Sequence, residues 1–286
     1  YNPSFMAGLP TLPVLGCNNS WFIFETPESM FLRHRSLENR RDWRKTLELE
    51  RRILRKADGL VVTNRDFADI AAAELGYTGP VVDEPNGINE RIFHALELFT
   101  DQVPWPGEND AVNLVYVGNM QHGKGVQELL AAMRLLPERL RLKIIGGGKA
   151  TLNEVDELIT GIPRGRQRVT LTGHIPQGQI REYCAGAHIS IIPQQESGGY
   201  FSPLKLNESL ALGLPIVCTP LKVFERRKEL VHQSEDCTPE ALSKAILELA
   251  GNPEAVARLR ARGIEEAIRR TWNSRASRIL DFAQGL

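Results

Sequence analysis

Three glycine-bearing stretches hold the residue types best suited to chemistry. The first runs from Val117 to Val126 and reads V-G-N-M-Q-H-G-K-G-V. An apolar run ends there in a glycine loop that leads into an amphipathic segment. Gly118 and Gly123 would let backbone amides approach a ligand closely. Lys124 falls at a helix start, where free N–H groups and the macrodipole favour an anion. The spacing Gly118, four residues, Gly123, Lys124 matches a Walker A phosphate loop until its last position, where Gly125 replaces the Ser or Thr that would hold Mg²⁺. No apolar strand ends in an acidic residue suited to that metal, so an NTPase is disfavoured. The plain alternative is a tight βα turn carrying a surface lysine.

The second stretch, Ile144 to Ala150, places Gly146-Gly147-Gly148 after an apolar run. A dinucleotide fingerprint needs a further glycine where Thr151 stands, so a sharp turn is the better reading of these residues taken alone. The third stretch runs from Tyr200 to Val217. Ser202 and Pro203 suit the N-cap and first position of a helix. Lys205 and Glu208 are three apart and share a helix face. They are either a surface ion pair or, behind Gly198-Gly199, part of a ligand site that uses backbone contacts.

The surrounding pattern supplies elements to position these residues. Leu12–Leu15, Trp21–Phe24, Gly59–Thr63 and Gly79–Glu84 read as strands, with helices over Ser36–Lys56 and Asp66–Leu75. Glu97 to Asp110 holds Pro104, Pro106 and Gly107 with little periodicity and reads as a linker or long surface loop. A cleaner series comes next. Strands are expected over Val112–Val117, Leu140–Ile145, Arg168–Leu171, His188–Ile192 and Pro215–Cys218. Helices are expected over Gly125–Leu136, from about Thr151, and over Gln177–Ala185 and Pro203–Leu212. From Pro239 onward the chain reads as helical, with a last amphipathic helix from Trp272 through Phe282. Such alternation predicts an α/β protein with doubly wound parallel sheets, whose ligands bind beyond the carboxyl ends of the strands.

Bulk properties narrow the function classes. The 286 residues suggest about two domains. Lys+Arg and Asp+Glu are both 35, so a strongly basic nucleic-acid binder is disfavoured. Cys17, Cys184, Cys218 and Cys237 show no metal or disulfide spacing, which fits a reducing cytosol. The six histidines show no ligand spacing either; His122, inside the first loop, is the one that could face a ligand. No apolar run approaches the ~18 residues of a membrane span. The chain starts at Tyr1, which points to processing or to an excerpt of a longer protein.

Taken together, the motifs resemble the C-terminal half of family 4 retaining glycosyltransferases of the GT-B fold. Gly118, Asn119, Met120, Lys124 and Gly125 share the spacing of that family's G-R-L-x-x-x-K-G, with Asn119 in place of the Arg. Gly146 and Gly148 fit its G-x-G, and Gly173, His174 and Ile175 its G-x-V/I. Glu208 matches the second Glu of E-x7-E, and Ala211, Gly213, Pro215, Ile216 and Val217 match the A-x-G-x-P-V-V beyond it. Tyr200 stands where the first Glu would be. Ser202 to Leu206 spell the S-P-L-K-L of one branch of the family. Upstream, Ala57-Asp58-Gly59, Thr63 and Pro85-Asn86-Gly87-Ile88 resemble the link between the family's two domains.

The resemblance implies a GT-B-like fold of two Rossmann-like domains, the first incomplete. Its expected layout is an acceptor-side domain over 1–96, a linker over 97–110, a donor-binding domain over 111–268, and a helix over 269–286 packing back on the first domain. It implies transfer of a sugar from a UDP- or GDP-sugar to a saccharide or lipid-linked acceptor, with retention and with no cofactor or metal. Lys124 and Glu208 carry the implied catalytic roles. Lys124, and Asn119 less strongly, would face the diphosphate, and Gly118, Gly146 and Gly148 would border the donor. Glu208 would bond the ribose hydroxyls. Amides near Ser202 and Leu204 would approach the diphosphate with Lys205 assisting, and Ile175 would line the base pocket. Glu25 and Glu28 are candidates for acceptor binding, with a solvated loop as the alternative. A cytoplasmic location is expected, with contact at the inner membrane face left open. The departures at Asn119 and Tyr200 leave two alternatives, an inactive sugar-nucleotide-binding or scaffold protein and an epimerase on the same fold.

Overall fold

A computed structural model describes residues 23–26, 40–89, 104–121, 123–195 and 204–286. In chain order the strands are β1 (Ile23–Thr26), β2 (Gly59–Val62), β3 (Val81–Asp83), β4 (Val112–Val117), β5 (Leu140–Ile145), β6 (Val169–Leu171), β7 (Ile189–Ile192), β8 (Ile216–Cys218) and β9 (His232–Gln233). The principal helices are α1 (Arg40–Leu54), α2 (Arg65–Ala73), α3 (Val126–Leu135), α4 (Lys149–Thr160), α5 (Ile180–Cys184), α6 (Leu204–Ala211), α7 (Pro239–Ala250), α8 (Pro253–Arg269) and α9 (Trp272–Gln284). Two compact units result. One comprises the described residues up to Gly87 together with α9, and the other the described residues from Ile88 to Thr271.

In the first unit the strands pair in parallel in the order β1-β2-β3. All four residues of β2 are buried, as expected for the central strand of a covered parallel sheet. Leu60 and Val62 pack with Leu54, Phe67, Ala71, Leu75 and Tyr77. Helix α2 starts where the Asn64 side chain accepts the Asp66 N–H at 3.0 Å.

The second unit carries a parallel sheet in the order β6-β5-β4-β7-β8-β9. The winding direction reverses between β4 and β7, and the crevice beyond their carboxyl ends is the place such sheets bind ligands. Val112, Leu114 and Tyr116 of β4 join Leu129, Met133, Leu142, Ile144 and Ile189 in the core. Pro239 and Pro253 open α7 and α8 behind the caps Thr238 and Asn252.

Several expectations shift. The strand expected from Arg168 starts at Val169, because Gly165–Arg168 forms a single helical turn behind Arg164, whose φ is 52°. The buried Arg168 guanidinium there donates to the carbonyls of Leu136, Leu140, Pro137 and Pro163. Helix α4 begins at Lys149 rather than Thr151. Strand β9 has no counterpart in the expected series, since two residues carry no usable period. The expected strand Leu12–Leu15 lies outside the described residues.

Candidate functional site

The β4–α3 loop is built around glycines whose roles differ from one another. Gly118 donates its N–H to Ile145 O at 2.8 Å, so that amide serves the sheet and not a ligand. A Cβ at Gly118, where φ is 146°, would lie 2.4 Å from Lys205 Cε and 2.5 Å from Nζ. The glycine therefore makes room for a lysine that comes from α6. Gly146, with φ 122°, sits against Gly118: a Cβ there would be 2.2 Å from Gly118 O. This close stacking brings the β4 and β5 loops together, and Gly146 N–H donates to Gly173 O at 2.9 Å. Gly123 and Gly148, by contrast, have open space where a Cβ would stand.

Gly125 settles the phosphate-loop question. Its φ is 73°, and a Cβ would fall 1.5 Å from the Pro193 carbonyl oxygen. A Ser or Thr cannot occupy that position in this backbone, so a Walker A metal ligand is excluded. The loop is also tied to the one after β7 by Gln195 N–H donating to Gly123 O at 3.1 Å.

Helix α6 delivers the second set of side chains. Leu206 and Leu210 are buried beneath it, and Ser209 Oγ meets Ser190 Oγ of β7 at 2.7 Å. That anchoring turns Lys205 toward β4. Lys205 Nζ donates to Tyr116 Oη at 2.8 Å and lies 4.3 Å from the centroid of that ring. Tyr116 Oη in turn donates to Asn119 O at 2.5 Å. Burial and, after it, nearby Lys124 bring the Lys205 ammonium down to about 7, with Glu208 opposing the shift. Burial raises the Glu208 carboxyl, opposed by Lys205 and by a hydrogen bond with the Gln177 side chain. The surface ion pair considered for Lys205 and Glu208 is therefore replaced by a largely desolvated cluster.

Of the expected site residues, Gly118, Asn119, Lys124, Gly146, Lys205 and Glu208 converge by contact or electrostatic coupling. Ile175 is half-buried just before Gln177. Leu204 is 49% exposed at the start of α6. Gly148 borders open space, while Ser202, Tyr200 and His122 lie outside the described residues. Two residues of the cluster carry no motif signal. Tyr116 looks in the sequence like any strand aromatic, and Gln177 like any loop amide.

The histidine pattern also resolves at one position. His188 is packed rather than ligating: its Nδ1 accepts the Asn113 N–H at 2.8 Å, and its ring meets Trp105 edge-on at 5.9 Å. Among the described residues no three His, Cys, Asp or Glu side chains converge so as to hold a metal ion. No described helix is long and apolar enough to cross a membrane.

In the first unit, Glu25 at the end of β1 accepts from Arg275 Nη2 of α9 at 2.7 Å. Arg275 is 5% exposed and also donates to the carbonyls of Glu84 and Pro85. Glu25 thus has a structural partner in place of the solvated loop that was the alternative. Glu28 lies outside the described residues.

Residues 111–252 match the family model Glycosyl transferases group 1, which supports the glycosyltransferase part of the resemblance for that segment. The Bacillus subtilis protein TuaC, named as a putative teichuronic acid biosynthesis glycosyltransferase, is 28% identical over 138 residues, 46% of this chain and 31% of TuaC. The matched segment therefore spans about a third of that relative. A sucrose-phosphate synthase from Thermosynechococcus elongatus has a TM-score of 0.76 at 19% identity, covering 98% of this chain and 71% of that one. Anabaena HepE in complex with UDP gives 0.76 at 12% identity, covering 99% and 76%. HepE in complex with UDP-glucose gives 0.73 over the same shares. At these identities the likeness is one of fold: the chain has the GT-B-like α/β fold.

Proposed function

We propose that the chain binds a UDP- or GDP-sugar in the β4/β7 crevice and serves transfer of the sugar to a saccharide or lipid-linked acceptor, with retention of configuration. The observation that carries this reading is the convergence of Lys124, Lys205 and Glu208 at the switch point of the parallel sheet. A nucleoside diphosphate leaving group gains negative charge as the glycosidic bond breaks. Cations already held at that place stabilise the transition state more than the ground state. Lys124 and Lys205 supply that charge, the second making up for the Arg that Asn119 replaces. Glu208, on the neighbouring turn of α6, takes the ribose hydroxyls. The crevice opens beside Gly123 and Gly148, where a ligand can meet bare backbone. HepE, which shares the fold, is seen with UDP and with UDP-glucose, and that supports a nucleotide-sugar donor here.

Thermal unfolding with UDP, GDP, ADP and their sugar conjugates tests the reading. A ligand at about 100 times its dissociation constant adds roughly 2.7 kcal/mol to stability. A shift confined to one nucleotide supports the donor site and names its base, whereas no shift with any of them overturns it. Product analysis with and without an acceptor then separates transfer from epimerisation or from binding alone.

A further inference from the structure

The polar chain Lys205–Tyr116–Asn119 has a feature that donor binding alone does not explain. One hydroxyl accepts from Lys205 Nζ at 2.8 Å and donates to the Asn119 carbonyl at 2.5 Å. Tyr116 itself is fully buried in β4, with a relative exposure of 0%. A hydroxyl in such a place is costly unless both its roles are met, and here both are. The partners belong to different elements. Lys205 is carried by α6, and Asn119 opens the glycine loop. Gly118, between them in space, lacks the Cβ that would displace Lys205. Loop and helix are therefore registered against each other by a single phenol.

We propose that Tyr116 is a positioning residue of the diphosphate site, holding the Lys205 ammonium and the glycine loop in the arrangement that receives the charged end of a nucleoside diphosphate. This rests on the donor reading above. Hydrogen bonds in such a chain polarise one another, so the Lys205 bond stiffens the loop carbonyl as well. The groups that bear on Lys205 charge are Lys124 from the loop, Glu208 from its own helix and Tyr116 from the sheet. A hydroxyl that accepts from the ammonium favours its charged form. Removing that hydroxyl moves the titration of Lys205 to lower pH.

Calorimetric titration of the 286-residue chain with UDP, GDP and the matching nucleosides, from about pH 6 to about 8.5, decides the matter. The variants are Tyr116→Phe, Lys205→Met and the double. In Tyr116→Phe, affinity for the diphosphate that the wild type binds is expected to fall at least about fivefold near pH 7.5, with nucleoside affinity unchanged. The pH midpoint of diphosphate binding is expected to move down. Adding Tyr116→Phe to Lys205→Met is expected to cost less than it does in the wild type, because only the bond to the Asn119 carbonyl then remains to be lost. Equal diphosphate affinity in wild type and Tyr116→Phe overturns the inference while leaving the donor reading intact. An equal loss for diphosphate and nucleoside also overturns it, since that marks a general packing defect. A wild-type protein that binds neither diphosphate removes the donor reading itself.

Discussion

Gly125 rests its α-carbon against the carbonyl of Pro193, so closely that a Cβ would sit 1.5 Å from the oxygen. The loops after β4 and β7 are thereby packed backbone to backbone at the mouth of the crevice. Gly125→Ser would add both this collision and the strain of a side chain at φ 73°. The expected cost is at least about 2 kcal/mol of stability, with no gain of Mg²⁺-dependent nucleotide hydrolysis. Urea unfolding and a phosphate-release assay check both halves.

Lys124 and Glu208 reach the crevice from different elements, the glycine loop and α6. Lys124→Ala and Glu208→Ala are each expected to cut sugar transfer at least about tenfold with the melting temperature little changed. On the proposed role of Lys124 at the leaving diphosphate, the loss in Lys124→Ala falls mainly in kcat. On the proposed role of Glu208 at the ribose, the loss in Glu208→Ala falls more in KM for the donor. Steady-state kinetics with the nucleotide sugar that stabilises the fold distinguishes the two, and wild-type rates in both would refute these roles.

Lys205 makes stability depend on pH with a definite sign. Its folded value, about 7, lies below the ordinary 10.5 of an unfolded lysine. Between these values the unfolded chain binds more protons, so this group's contribution to stability rises as pH climbs from about 7 toward 10.5. Below about 7 the cost of burying the ammonium is present in full. Lys205→Met removes the titration. The variant should therefore gain on wild type most below about pH 7 and least near about pH 10, as read from denaturant midpoints.

Arg275 ties α9 to the carboxyl ends of β1 and β3 within the first unit. Its guanidinium bonds Glu25 Oε1 and the Glu84 and Pro85 carbonyls, and packs on the Trp272 ring at 5.5 Å. Beside it, Arg278 Nε reaches both Glu84 carboxylate oxygens at 2.8 and 2.9 Å. Arg275→Met strips buried carbonyls of their donor and is expected to destabilise the chain by about 3 kcal/mol. Protection of β3 amides from hydrogen exchange should fall with it. Unchanged protection would mean that α9 is held by its apolar face alone.

Much of the framework is legible in the sequence. The buried strands Val112–Val117 and Leu140–Ile145 and the helix from Pro239 each rest on neighbours within a few residues, and local periods report local structure. The glycine positions and the Lys124 and Glu208 motifs are visible for the same reason. Strand β9 and the turn at Gly165–Arg168 are not, because they owe their form to the sheet edge and to Arg168 reaching carbonyls about 30 residues away.

The sequence alone determines the alternation of elements, the places where the chain turns without a Cβ, and the family pattern of the segment 111–252. Only the tertiary structure decides which residues meet. Lys205 and Tyr116 are 89 positions apart. They touch because β4 and β7 are neighbours in the sheet and α6 packs on β7. That order fixes the burial of Lys205, and the burial sets its charge. A one-dimensional pattern carries no record of strand order, so it shows a lysine and a tyrosine but not the bond between them.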